Sequence, residues 1–149
     1  IIIMEWIDRG YNNNMKHEVI DGVIAKTKEL STNPMAIAVL DKAGQLTAFR
    51  KQDGCSLMRA DIAIGKAYAS IGMGVSTGVL QERAANLPHF IDSLAAVANG
   101  KFVPVAGAYL IKTDSGEILG SVGVTGDKAD IDEVCALAGI AHAGFHTDK

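Results

Sequence analysis

The sequence of 149 residues has few aromatic side chains, two cysteines and no long apolar run. Because aromatic residues make up only 5% of the chain, the core has to be built from Ala, Val, Ile and Leu. Cys55 and Cys135 are too few for a disulfide framework and lack the paired spacing of a zinc site. No stretch is apolar over the length of a membrane span, and the N-terminus shows no basic region followed by a long apolar segment. We therefore expect a cytoplasmic protein with free thiols.

The chain also lacks an excess of positive charge. Its formal net charge of -3 gives no reason to expect nucleic acid or an anionic membrane as a partner. Hydrophobic content of 48% with 21% charged residues argues against disorder, and the length predicts one domain. The 16 glycines imply close backbone packing or unusual turns.

Two segments, Met35 to Gly54 and Gly107 to Gly126, have the same pattern of an apolar strand, a four-residue turn and a second strand. The turns are Asp41-Lys42-Ala43-Gly44 and Thr113-Asp114-Ser115-Gly116. A turn Asp can accept hydrogen bonds from its own backbone, and Gly supplies the positive φ at the exit. Both segments are therefore predicted to be antiparallel hairpins.

Helical spacing surrounds the two hairpins. It predicts helices over Met15–Leu30 with Asn14 as N-cap, over about Leu57–Gly72 with Ser56 as cap, from Ser76 or Thr77 toward Ala85, from Pro88 to Val97, and from Asp127 onward with Ile131, Val134, Cys135, Ala138 and His142 on one stripe. Lys101 to Val105 is predicted to be a short strand or edge. The order predicts an α+β domain whose hairpins share one sheet with helices on its faces, and excludes a βαβ dinucleotide fold.

The first fourteen residues differ from the rest. Asn12-Asn13-Asn14 separates an apolar start from the regular pattern that begins at Met15. We expect residues 1–14 to be an atypical N-terminal extension and residues 15–149 to form one domain. The alternative is that the extension adds a strand or a helix turn that covers an oligomer surface.

Several short segments resemble, in order and spacing, the GlcG/HbpS family of haem-binding and haem-uptake-related proteins. They are Asp61-Ile62-Ala63-Ile64-Gly65-Lys66-Ala67, the Ser76-Thr77 cap, and Gly116 to Gly126, together with Val39-Leu40-Asp41, Gly44, Arg50, Asp53-Gly54, Val103-Pro104, Asp132 and Ala138-Gly139. The chain departs from the family pattern at Ala106-Gly107, where a Gly-Gly pair is common, and at Asp127-Lys128-Ala129, where small residues are common.

The resemblance implies a profilin-like fold with a five-stranded antiparallel sheet, and homo-oligomers that are often octamers. Some members of the family bind haem or related tetrapyrroles. Others accompany diol, glycerol or glycolate utilisation, and a similar domain ends some cobalamin adenosyltransferases. Haem is therefore the expected cofactor, with no nucleic acid or membrane partner.

Histidine is the usual protein ligand of haem iron, and the chain has four. His17 lies at the edge of the apolar face of the first helix, and His142 lies on the stripe of the last helix, so these two are the candidate iron ligands. The alternative for each is a packed or surface histidine. His89 and His146 are weaker candidates, and no other metal site is expected.

Charged residues offer a second kind of candidate site. The segment from Gly120 to Lys128 lacks Walker spacing, but Thr125, Gly126 and Asp127 form a loop-to-helix junction whose N–H groups could hold a carboxylate. Arg59 and Lys66 could pair with a ligand carboxylate in a cleft between subunits. The alternative is a helix-surface ion pair or an oligomer contact.

Three functions are compatible with these residues. The first is an oligomeric, non-enzymatic protein that binds haem or a related tetrapyrrole between the first helix and the sheet, accessory to uptake or catabolism. The second is an enzyme or accessory factor for a small hydroxy or carbonyl compound, which predicts a pocket with converging Arg59, Lys66 or Asp127. The third is an assembly module without a ligand. No catalytic residue is assigned, because scattered residues do not define a nucleophile and base.

Overall fold

The computed structural model describes residues 11–148. These residues form five helices and four strands. In chain order they are α1 (Asn13–Leu30), β1 (Ala36–Asp41), β2 (Leu46–Lys51), α2 (Arg59–Met73), α3 (Thr77–Asn86), α4 (Pro88–Val97), β3 (Ala108–Lys112), β4 (Ile118–Thr125) and α5 (Ala129–His142). The prediction of an α+β domain is confirmed.

The four strands form one antiparallel sheet in the order β2-β1-β4-β3. Each predicted hairpin supplies two neighbouring strands, and β1 joins the hairpins by pairing with β4. Val39 of β1 lies opposite Val122 of β4 on one side and Ala48 of β2 on the other. The fifth strand of the predicted sheet is not among the described residues and stays a prediction, and Lys101–Val105 is not a strand.

Helices cover both faces of the sheet. On one face α1 and α5 pack over β1 and β4, with Val19, Ile20 and Ile140 against Ile37 and Val124. On the other face α2 packs on β4, β1 and β3, and α3 and α4 complete a smaller cluster beside it. The central strand β1 is buried on both faces, which explains why its sequence is continuously apolar.

The small residues of α2 allow its backbone to approach the sheet closely. A Cβ atom added to Gly123 of β4 would lie 2.3 Å from the carbonyl oxygen of Ala63 and 2.8 Å from the nitrogen of Ala67. The hydroxyl of Ser121 donates to the carbonyl of Ala67 at 2.7 Å. The small side chains of α2 therefore allow it to pack closely against the sheet of the same chain.

The first turn has the predicted chemistry, and the second has the exit glycine but a different acceptor. Oδ1 of Asp41 accepts from the backbone nitrogens of Ala43 and Gln45, at 2.9 and 3.0 Å. In the second turn the side chain that accepts is Thr113, from the nitrogen of Glu117 at 3.1 Å. The glycines that end the turns have φ of 80° and 90°. The turns fix the register of each hairpin.

Three helix starts differ from prediction. The N-cap of α1 is Asn12, whose side chain accepts from Met15 N at 3.0 Å, rather than Asn14. Helix α2 begins at Arg59 without a side-chain cap, so Ser56 does not cap it, and α5 begins at Ala129. Ser76 caps α3 as predicted.

The buried stripe of α5 is also displaced from the predicted one. The side chains that α5 buries are Asp132, Cys135, Ala136, Gly139 and Ile140. Val134 and His142 are exposed. The stripe follows the close contact of α5 with α1, where Gly139 lies against Val19 and Val23.

The predicted extension lies mostly outside the described residues, which begin at Tyr11. Tyr11 donates its hydroxyl to the carbonyl of Leu40 at 2.8 Å, and its ring meets that of Phe145 edge-on at 5.8 Å between centroids. The Nζ atom of Lys16 lies 4.7 Å from the centre of the same ring. This part of the segment is therefore packed against the domain.

The C-terminal segment covers the β3 edge of the sheet. Lys112 and His146 exchange two backbone hydrogen bonds, at 2.8 and 2.9 Å. Nε2 of His146 also lies 2.7 Å from Oδ1 of Asp114. Among the residues described, no helix is long and apolar enough to cross a membrane.

Candidate functional site

A cleft of about 270 Å³ opens where the end of β4 meets α2 and the start of α5. Its walls combine charged and apolar side chains. The lining residues are Arg59, Ile62, Lys66, Val103, Val105, Thr125, Asp127, Ala129 and Asp132. The Gly126 turn, with φ of 155°, carries the chain from β4 into this cleft.

The inner wall of the cleft holds a buried ion pair. Nζ of Lys66 donates to Oδ2 of Asp132 at 3.2 Å and to the carbonyl oxygen of Val124 at 3.0 Å. The two charged side chains are only 3% and 2% exposed. Oδ1 of Asp132 accepts from the backbone nitrogen of Asp127 at 3.0 Å, so both carboxylate oxygens have a partner.

Burial acts on both members of this pair. Desolvation lowers the pKa of Lys66 and raises the pKa of Asp132, although the attraction between the two groups opposes each change. The nearby guanidinium of Arg59 also lowers the pKa of Lys66. Little water therefore reaches the pair, and the two charges depend on each other and on their hydrogen bonds for stabilisation.

Arg59 occupies the next position along the cleft. Its guanidinium donates to Oγ1 of Thr125 at 2.7 Å. Among the ion pairs of residues 11–148, none includes Arg59. It is half-buried, so its remaining N–H donors can reach a molecule in the cleft.

Asp127 lies at the mouth and is held by backbone groups. Its Oδ2 accepts from the nitrogen of Asn33 and its Oδ1 from that of Lys128, both at 2.8 Å. These hydrogen bonds, the one from Asn33 first, lower the pKa of the Asp127 carboxyl. The side chain ties the start of α5 to the segment before β1.

Gly107 makes room for the ammonium group. Its φ is 135°, and an added Cβ would lie 2.7 Å from Nζ of Lys66 and 2.6 Å from the carbonyl oxygen of Val124. Of the Gly-Gly pair that is common in the family, this chain keeps the second glycine, Gly107. A side chain at that position would displace the buried pair.

A second cleft, of about 290 Å³, lies at the C-terminal end of α1. It is lined by Thr27, Lys28, Ser31, Thr32, Pro34, Gln52 and Asp53. None of the residues predicted to bind a ligand lines it. Two of its polar side chains bind each other, since Gln52 donates to Thr27 Oγ1 and also accepts from Met35 N.

The structure separates the predicted site residues into two groups. Arg59, Lys66, Thr125 and Asp127 line one cleft, and Gly126 connects the last two. His17 and His142 are exposed and do not line it. Asp132, although part of the family resemblance, is missing from the predicted site. An acidic residue in the first turn of a helix is common because it interacts favourably with the helix dipole, and the ion pair of Asp132 depends on a partner 66 positions away.

The two candidate iron ligands lie on different helices, His17 on α1 and His142 on α5. The Cβ of His142 lies beside Gly22 of α1, so close that a Cβ added there would be 2.5 Å from it. His17 precedes Gly22 by five positions, which is about 140° around the axis of an α-helix. The two histidines therefore lie at different sides of α1.

Residues 12–141 match the family model described as "Haem degrading protein HbpS-like". The chain belongs to the HbpS-like family. This confirms the resemblance drawn from the short segments of the sequence. No curated protein matches the chain in sequence.

Solved structures share the fold of this HbpS-like chain. The PduOC:heme complex superimposes with a TM-score of 0.81 at 22% identity, covering 91% of this chain and 96% of that one. A double mutant of Streptomyces reticuli HbpS gives 0.77 at 21% identity, covering 90% and 87%. The Klebsiella pneumoniae protein ORFY gives 0.79 at 17% identity, with 90% of both chains covered. At these identities the likeness establishes the fold.

Proposed function

We propose that this protein binds haem or a related tetrapyrrole, with His17 as the iron ligand. The observation that carries the proposal is the family match over residues 12–141, whose description names haem. The PduOC:heme complex, which has the same fold, adds support. The exposed imidazole on α1 gives the iron an accessible nitrogen donor.

Three other soft or anionic donors, Cys135, Tyr11 and Tyr109, are less suitable than the exposed imidazole. Burial raises the pKa of the Cys135 thiol to about 11, and the side chain has no exposed surface. Burial also raises the pKa of Tyr11 and of Tyr109, whose hydroxyl donates to Oε2 of Glu133 at 2.8 Å. Thiolate or phenolate ligation by these groups is therefore unfavourable, and imidazole is favoured.

The ligand has to lie outside the helix-sheet layer. Val19, Ile20 and Val23 of α1 are at most 2% exposed against the sheet, so the expected cleft between the first helix and the sheet is filled by core side chains. The charged cleft does not suit the macrocycle either, since it has no iron donor among its lining residues. Its volume of about 270 Å³ is also small for a drug-sized ligand.

A second copy of the chain would complete a surface site on His17, and we propose that the protein is a homo-oligomer. Exposed apolar side chains support this: Leu57 is 86% exposed, Met58 68% and Val97 78%. Large exposed apolar groups favour protein contacts. Light scattering after gel filtration tests the assembly, and a monomer would refute it.

Haemin titration, monitored by the Soret band, tests the function. A saturable shift is expected for the wild type and for His89→Ala, an exposed histidine that serves as the matched control. His17→Ala is expected to abolish the iron-nitrogen spectrum. No saturable shift in the wild type would refute tetrapyrrole binding, and loss of the spectrum in His142→Ala instead of His17→Ala would refute the assignment to His17.

A further inference from the structure

The cleft at Arg59 contains more positive than negative charge on its inner side. Asp132 compensates Lys66, with 3.2 Å between their charged atoms. Asp127 lies farther out, and both its oxygens accept backbone hydrogen bonds. None of the ion pairs among the described residues includes Arg59, so its guanidinium is not neutralised by a carboxylate.

Arg59 is also held in position to bind. Its hydrogen bond to Oγ1 of Thr125, at 2.7 Å, uses one of five donors and directs the guanidinium across the end of β4. Thr125 itself is fully buried. A planar guanidinium fixed in this way suits the two parallel hydrogen bonds of a carboxylate.

Part of the wall of the cleft is apolar. Ile62 of α2, Val103 and Val105 line it, together with Ala129 at the start of α5. An inorganic anion would leave this wall uncovered, whereas a short hydrocarbon chain would cover it. The lining thus pairs one cationic anchor with a small apolar surface.

We infer that this cleft binds a short-chain organic monocarboxylate, with the carboxylate on Arg59 and the hydrocarbon part against Ile62, Val103 and Val105. The buried Lys66–Asp132 pair forms the polar end wall and keeps the end of β4 and the start of α5 in place. The same carboxylate chemistry occurs in the propionate arms of a tetrapyrrole. Because the lining has no iron donor, the site acts on free carboxylates independently of the haem proposal.

The test is titration of the wild-type protein with sodium acetate, propionate and butyrate, followed by methyl NMR at the isoleucine and valine side chains of the cleft. Saturable shifts are expected, with affinity rising about fourfold per added methylene that is fully buried. Inorganic phosphate is expected to bind more weakly than propionate. No saturable shift, or tighter binding of phosphate, would overturn the inference.

Variants assign the effect to the guanidinium. Arg59→Gln is expected to weaken propionate binding at least about tenfold, the usual scale for a charged hydrogen-bonded pair. Arg59→Lys should retain part of the affinity, because lysine keeps the positive charge but lacks the paired N–H donors of the guanidinium. Arg50→Gln, the same change at an exposed position of β2, is the matched control and should bind as the wild type. Equal binding by Arg59→Gln, in protein shown by circular dichroism to be folded, would overturn the inference.

A competition experiment with haemin distinguishes a free carboxylate from the propionate group of a tetrapyrrole as the ligand of the cleft. Saturating propionate is expected to leave the haemin titration of the wild type unchanged, and Arg59→Gln to bind haemin normally. Competition between propionate and haemin would show that the cleft receives a tetrapyrrole arm and would overturn the independent site. Failure of haemin binding alone would refute the proposed function and leave the carboxylate result standing.

Discussion

Nζ of Lys66 lies 3.2 Å from Oδ2 of Asp132, and the two side chains are 3% and 2% exposed. The contact joins the middle of α2 to the first turn of α5. The same ammonium group donates to the carbonyl of Val124, so it also holds the end of β4. Three elements that form the cleft are therefore fixed by one buried cation.

Removing one member of this pair should be far more harmful than removing both. Asp132→Ala leaves a buried ammonium group without its carboxylate and is expected to lower the free energy of unfolding by about 3–5 kcal/mol. The double variant Lys66→Met with Asp132→Leu should lose less stability than Asp132→Ala alone, because no charge stays buried. Urea unfolding measures each value.

The control for this series is Lys26→Met. Lys26 pairs with Glu29 at 3.0 Å on the surface of α1, where Glu29 is 65% exposed. Surface pairs contribute at most about 1 kcal/mol, so this change should have little effect. A comparable loss at Lys26 and at Asp132 would contradict the importance given to burial.

Asp127 should make stability depend on pH in acid solution. Hydrogen bonds from Asn33 N and Lys128 N lower the pKa of its carboxyl below the ordinary value of 3.8. A group whose pKa falls on folding contributes its stability fully above that ordinary value and loses it as the pH falls through the folded value. The difference in unfolding free energy between wild type and Asp127→Asn should therefore narrow below about pH 4. A difference that is the same at neutral and acid pH would refute this account.

Two glycine substitutions should change stability in opposite directions. Gly123→Ala places a Cβ 2.3 Å from the carbonyl oxygen of Ala63, so α2 must move, at an expected cost of about 1–3 kcal/mol or more. Gly72→Ala, near the end of α2, meets nothing within 4 Å and should gain about 0.5 kcal/mol from the better helix former. Thermal unfolding measured by circular dichroism compares the two. Equal effects would show that the close approach of α2 to the sheet is not what Gly123 provides.

The two thiols should differ in reactivity. Cys55 is half-buried, whereas Cys135 has no exposed surface and burial raises its pKa to about 11. Because the thiolate is the reactive form, Ellman's reagent should modify native Cys55 and leave Cys135 until the protein unfolds. Native Cys55→Ser protein is expected to release no thionitrobenzoate. Rapid reaction of that variant would contradict the packing of α5.

The sheet could be predicted well because short stretches of neighbouring residues determine its hairpins. The turns at Asp41 and Thr113 carry their own hydrogen-bond acceptors and exit glycines, so the hairpins follow from a few consecutive residues. The antiparallel α+β class follows from the same patterns. Exact helix starts depend on which of several competing groups caps the helix, as with Asn12 and Asn14, and the periodicity cannot decide between them.

The site was harder to predict because its parts are distant in the sequence. The grouping of Arg59 with Thr125 spans 66 positions, as does that of Lys66 with Asp132. The prediction chose Arg59 and Lys66 for their charge on an otherwise small and apolar helix. It does not supply Asp132, because the predicted stripe of α5 leaves Asp132 out. That stripe includes the buried Cys135 but also Val134 and His142, which face solvent.

The two edges of the sheet differ in how readily a strand of another molecule could pair with them. The backbone of His146 occupies the hydrogen-bonding groups of Lys112 on β3, and within residues 11–148 no strand lies beyond β2 on the other side. A copy that paired with this end of β3 would first have to displace His146. Strand-to-strand addition is therefore disfavoured at this edge, which limits open-ended fibre formation.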